Sequence, residues 1–301
     1  MKRVLLFVGV NLLVVLTLSL VVGVLGLSPR IHSYGYDLRQ LLGFCAVFGF
    51  GGALISLAIS RWTAKFALGV ELVDPSHPRG SAESTLVEKV RILSSRAGIT
   101  TLPEIGIYAS PEVNAFATGP TKNRALVAVS TGLLERMDEA AIEGVLGHEL
   151  SHVANGDMVT MTLLQGVANT FVMFFARVAA FAIDQALRGR DGDRKGGLGP
   201  FAYYLLVMVL EVVFMILASI VVHGFSRWRE FRADAGGADL AGREKMIHAL
   251  EALKRSAELV DDRHAALATM KINSRGGGLL ARLFSTHPQL EARIAALKAL
   301  P

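Results

Sequence analysis

Four long apolar stretches alternate with polar ones along the chain. The first, Leu5 to Val24, is interrupted only by Asn11, Thr17 and Ser19. As a helix it is about 30 Å long, the thickness of a hydrocarbon core. A second run, Leu41 to Ser60, follows closely, so the two are expected to form a retained transmembrane hairpin. A cleaved signal peptide fits less well, because the first run is longer than a signal core and no small-x-small cleavage site follows it. Met158 to Ile183 is the third run, its start made polar by Thr160, Thr162, Gln165 and Asn169. The fourth, Phe201 to Val222, is broken only by Glu211, whose carboxylate has to face protein or water if the segment lies in lipid.

The intervening segments have the periodicities of a small globular domain. Leu86, Val90, Leu93 and Ala97 recur at helical spacing within Ser84 to Ala97, which predicts an amphipathic helix. Two β-prone runs, Ile105 to Ala109 and Ala125 to Ser130, flank a polar interval around Ser110 to Asn123 and predict a small sheet. Asp138 stands at the N-cap position of a helix through Ile142, Leu146 and His152, a pattern that Asn155-Gly156-Asp157 interrupts. After Ser226 the chain turns aqueous. Gly236-Gly237 is expected to divide a charged segment from a helix over Ala241 to Leu259, and Gly276 to Gly278 precede a last helix with Leu290, Ile294 and Leu297.

Composition agrees with a part-membrane protein: 52% of the 301 residues are hydrophobic and the mean hydropathy is +0.45. Lys2, Arg3, Arg61 and Lys65 flank the far ends of the first hairpin, which favours a cytoplasmic N terminus and a cytoplasmic segment after residue 61. Two simple crossings by the third and fourth runs place the basic loop Arg188 to Lys195 on the opposite side, against the charge rule, so a shallow or re-entrant path stays open. The net charge of +5 is dispersed rather than gathered in a patch, which argues against nucleic acid as a partner. Cys45 is the only cysteine; an internal disulfide and a cysteine-based zinc site are therefore both excluded.

The candidate chemistry lies in Gly147-His148-Glu149-Leu150-Ser151-His152, an HExxH segment. At about 100° per residue, helix positions four apart share one face about 6 Å apart along the axis, so both imidazoles can reach one metal ion. Glu149 then stands beside them, placed to handle water. Catalytic zinc normally takes a third protein ligand and leaves a position open. Ser226 to Asp234 supplies Glu230 as a candidate ligand and Asp234, one turn later, as a carboxylate to orient a ligand histidine. An ordinary helix ion pair with Arg227 is the plainer reading of Glu230.

Those motifs, in order with Asn114 to Gly119, Asn155-Gly156-Asp157 and Ser285 to Pro288, resemble the HtpX family of membrane metalloproteases, related more distantly to the CAAX-processing membrane proteases. The resemblance implies a membrane α-helical protein with an α+β zincin-like catalytic domain and HExxH on the active-site helix. Its expected parts are a transmembrane hairpin and flank at 1–70, a first catalytic portion at 71–157, two membrane-associated helices at 158–223 and a second catalytic portion at 224–301. It implies one zinc per chain on His148, His152 and Glu230, with Glu149 as general base. Asn114, Ala115, Phe116 and Ala117 are implied to be a substrate-facing edge, with His287 and Arg293 supporting substrate or transition state.

The activity so implied is a zinc metalloendopeptidase of the bacterial inner membrane, multi-pass, with its catalytic domain facing the cytoplasm. Its partners would be misfolded or damaged membrane proteins, unfolded polypeptides, the lipid bilayer and other quality-control proteases. Three alternatives remain. A narrower processing protease would cleave one defined membrane peptide, and a zinc-holding membrane scaffold would cleave nothing in any metal state. A transporter would need more charged sites at mid-membrane than this chain carries.

Overall fold

The computed structural model describes residues 16–18, 20, 24, 31–32, 35–187, 197–263, 285 and 287–300. Most of the first apolar run, the basic loop 188–196 and the glycines 276–278 lie outside the described residues. In chain order the elements are β1 (Ile31–His32), β2 (Gly35–Tyr36), α1 (Leu38–Leu68), β3 (Glu71–Leu72), α2 (Gly80–Arg96), β4 (Glu104–Tyr108), β5 (Ala115–Thr118) and β6 (Leu126–Ser130). There follow α3 (Thr131–Arg136), α4 (Glu139–Asn155), α5 (Asp157–Leu187), α6 (Pro200–Ala241), α7 (Arg243–Arg263) and α8 (Leu290–Lys298). The chain forms two compact units, one of residues 1–56 and 161–222, the other of 57–160 and 223–301.

The first unit holds the apolar parts of α1, α5 and α6, the three helices among the described residues long and apolar enough to cross a membrane. Small residues let α1 and α5 approach closely: a Cβ on Gly49 would fall 2.7 Å from the Thr170 backbone nitrogen. Glu211 meets Arg177, with Oε1 2.7 Å from Nη1, and the guanidinium also lies over the Phe44 ring. Each ion thus has a counter-charge, without which burial in an apolar helix cluster would be costly. Cys45 is fully buried nearby in α1.

The second unit is built on a four-stranded sheet of order β3-β4-β6-β5. β4 and β6 run parallel, while β3 and β5 pair antiparallel at the two edges. Ile105, Val127 and Val129 belong to the core shared with Val90 of α2 and Leu146 and Leu150 of α4. The sequence pattern identifies β4 and β6 but not the two-residue β3. The interval between β4 and β6 is not all loop, since β5 occupies its middle.

Asp138 caps α4, its Oδ1 accepting from the Ala141 amide at 2.8 Å. At the other end Gly156 takes the left-handed conformation, φ 69°, a position that favours glycine. The chain then turns directly into α5.

Gly236-Gly237 does not divide two elements. α6 runs through both glycines to Ala241, and the break falls at Gly242, φ 100°. The pair serves packing instead. A Cβ on Gly237 would lie 3.0 Å from the His148 backbone nitrogen, and one on Gly236 would strike the Ser151 side chain. Gly147 faces back against Gly237 and Ala241, so α4 and α6 meet almost backbone to backbone. α7 makes a similar approach, since a Cβ on Gly144 would sit 2.8 Å from Ala249 Cβ and closer still to the Lys245 carbonyl oxygen. α8 closes the unit by packing Leu297 on Met246 and Leu250.

The Gly144 contact gives a direct test. Gly144→Ala gains about 1 kcal/mol in helix propensity, but a Cβ driven into the Lys245 backbone puts the overpacking cost at about 3 kcal/mol, the upper end of the usual range. Thermal unfolding of the purified variant is expected to show a midpoint several degrees below wild type; an equal or higher midpoint contradicts the close approach.

Candidate metal centre

His148 and His152 occupy successive turns of α4, and Glu230 reaches them from α6 across the glycine contact. One ligand atom from each lies within 4.8 Å of the others. His148 Nε2 is 3.2 Å from His152 Nε2. Glu230 Oε2 stands 3.6 Å from the first and Oε1 3.3 Å from the second. All three side chains are buried, Glu230 to 1% exposure.

The outer nitrogens are held by carboxylates. His148 Nδ1 is 2.9 Å from Asp234 Oδ1, and His152 Nδ1 is 2.6 Å from Asp157 Oδ2. With a carboxylate as acceptor, each Nδ1 carries the hydrogen, which leaves each Nε2 lone pair directed at the shared space. Two such lone pairs and a carboxylate at this spacing repel one another unless a positive charge lies among them. This donor set fits zinc, which takes imidazole nitrogen and carboxylate oxygen together.

Protons can meet the same demand. Burial opposes a charged imidazole at His148, but the hydrogen bonds it donates to the Asp234 and Glu230 carboxylates outweigh it and lift its pKa to about 9. His152 is likewise raised: burial works against the charge, and Asp157 and Glu230 overcome it. Arg293, although buried, is pushed higher still by Asp234.

Glu149, between the two histidines, is partly exposed and makes no side-chain hydrogen bond or ion pair among the described residues. Its carboxylate is close enough to favour charge on both imidazoles. Arg293 binds Asp234 through two contacts, Nε to Oδ2 at 2.7 Å and Nη2 to Oδ1 at 2.6 Å. His287 Nδ1 lies 2.8 Å from Glu230 Oε2 while most of its ring stays exposed. Asn114 is fixed to β6, its carbonyl accepting from the Ser130 amide and its own amide donating to Ser130 Oγ. Ala115, Phe116 and Ala117 form most of β5, an edge strand that packs beside α4, and the Phe116 ring lies against Tyr108.

Sequence reasoning gives no role to Asp157 or Arg229, yet both stand at the centre. A signal for Asp157 was present: Asn155-Gly156 marks a helix end, and a tight reversal there brings the next residue back beside His152.

Metal and protons compete for these sites. In metal-free protein near neutral pH, zinc binding is expected to release about one proton or more per ion. Affinity should rise with pH and level off above about 9, where His148 has lost its proton. Titration calorimetry in buffers of different ionisation enthalpy measures this release; binding with no proton released contradicts the charge assignment.

Comparisons with known proteins identify the family. Residues 81–300 match the model of peptidase family M48. The chain is 52% identical to a protease HtpX homologue of Thiobacillus denitrificans over 301 residues, covering all of both. It is 51% identical to one of Bacillus licheniformis, covering 99% of each. Among solved structures, the crystal structure of S. mikatae Ste24p superposes with a TM-score of 0.57 at 17% identity, over 86% of this chain and 58% of that one, a likeness of fold. A family match over most of the chain, and half-identity to HtpX proteases from end to end, show that the chain belongs to the HtpX proteases of peptidase family M48 and is a membrane metallopeptidase.

Proposed function

We propose that this metallopeptidase is a zinc-dependent endopeptidase of the bacterial inner membrane, its catalytic unit facing the cytoplasm, that hydrolyses misfolded or damaged membrane proteins. The observation that carries the reading is the pair of inward Nε2 atoms facing Glu230, with an uncommitted Glu149 beside them. In this reading His148, His152 and Glu230 hold one zinc, and Asp234 orients His148. Zinc held there supplies Lewis acidity, polarising a scissile carbonyl and lowering the pKa of water from about 16 toward about 7.

The chain's own residues do the rest. Glu149 accepts the proton of the attacking water and, once protonated, passes a proton to the departing amine, serving as base and then acid. With no hydrogen-bonded partner among the described residues, it can make both transfers without first breaking an ion pair. The β5 edge, Ala115 to Ala117 with Asn114 behind it, offers main-chain groups to an extended substrate. Such pairing reads a stretched backbone and tolerates varied side chains, which suits unfolded polypeptides. The exposed His287 ring supports the substrate carbonyl oxygen, and Arg293 holds Asp234 in place behind His148. Three apolar helices keep the enzyme where membrane-protein substrates are found.

Glu149→Gln keeps the metal ligands and the fold but removes the proton acceptor. With zinc-loaded protein in detergent and an unfolded membrane protein as substrate, release of new N termini is expected to fall by about 10²- to 10⁴-fold, with zinc binding unchanged. Cleavage by this variant at the wild-type rate would sink the mechanism. Cleavage of one defined peptide, with no action on unrelated unfolded chains, would favour a narrow processing protease.

A further inference from the structure

Asp157 is only 3% exposed, and its Oδ2 lies 2.6 Å from His152 Nδ1. A second observation is the likeness between the two sides of the centre. Behind His148 stands Asp234, and behind Asp234 stands Arg293. Behind His152 stands Asp157, and near Asp157 stands Arg229.

The two relays differ in how they close. Arg293 grips Asp234 with two hydrogen bonds. Arg229 Nε is 3.9 Å from Asp157 Oδ2, and Nη2 is 3.8 Å from Glu230 Oε1; the Nε is buried without a hydrogen-bond partner among the described residues. These separations are too long for hydrogen bonds but well within electrostatic reach.

We propose that Asp157 is the positioning residue for His152 at the metal centre, and that Arg229 is the cation holding Asp157 and Glu230 beside each other. The inference rests on the metal-site reading above. A carboxylate behind a ligand imidazole fixes its tautomer and strengthens its donation. Among the described residues no side chain binds Asp157 as tightly as Arg293 binds Asp234, so its charge acts chiefly on His152. The left-handed turn at Gly156 ends the helix one residue before Asp157, and the reversal there brings its carboxylate back to His152 Nδ1.

The test uses the full chain in detergent as wild type, Asp157→Asn, Asp157→Ala and Arg229→Gln. Zinc affinity is measured by chelator competition and metal geometry by the visible absorption of cobalt(II)-loaded protein. Asp157→Ala is expected to weaken zinc binding by about 100-fold. Asp157→Asn, whose amide oxygen still accepts from Nδ1, should lose about 10-fold. Both should shift the cobalt bands, and Arg229→Gln should lower affinity a few-fold.

Asp157→Asn is nearly isosteric and decides the matter if the alanine variant does not fold. Wild-type affinity and cobalt spectrum in that variant would overturn the proposal, and so would a lowered melting temperature with metal binding unchanged, since Asp157 would then be only structural. If wild type itself takes up no metal, the functional reading falls together with this one. If wild type binds metal and Asp157→Asn matches it, this inference falls alone.

Discussion

One helix can offer two imidazoles to a metal but not a third ligand in the same plane of approach, so the centre depends on a second helix coming unusually close. α6 does so because glycine faces glycine: Gly237 lies against the His148 backbone, Gly236 against Ser151, and Gly147 against Gly237. At the ordinary interaxial distance of about 8–10 Å, a glutamate would have to stretch toward the histidines. With the backbones nearly touching, Glu230 reaches both Nε2 atoms while remaining buried. Everything behind the three candidate ligands follows from that contact. Asp234 lies one turn beyond Glu230 and meets His148, and Arg293 of α8 locks it there.

The same economy applies in the apolar unit. Gly49 lets Thr170 approach α1, and Glu211 is neutralised by Arg177 on a neighbouring helix. A charge in an apolar segment reads from sequence as a cost in search of a compensation. The sequence locates Glu211 as that cost; Arg177 lies in another run, and only the packing of α5 against α6 pairs them.

What the chain reveals by itself is local. The HExxH spacing, the Asp138 cap, the periodicity of α2 and the two buried strands are all set by neighbours a few positions away, and each is legible. Gly236-Gly237 is not, because a glycine pair has the same local signature whether it ends a helix or lets another helix touch it. β5 is hidden from local patterning for a related reason, since Ala115 to Thr118 is short and pairing with β6 makes it a strand; only the family resemblance marks Asn114 to Ala117 as an edge. Asp157 lies between these cases, since its helix-ending context is visible whereas its return to His152 depends on the handedness of the Gly156 turn.

The central claim is that one zinc per chain is bound by two imidazoles and one carboxylate from α4 and α6. X-ray absorption at the zinc edge of the purified, zinc-loaded protein measures that coordination directly. The account predicts nitrogen and oxygen donors at about 2.0–2.1 Å, with the scattering signature of two imidazoles and the loss of one of them in His152→Ala. A sulfur contribution, a third imidazole, or a spectrum unaltered by that substitution would contradict it.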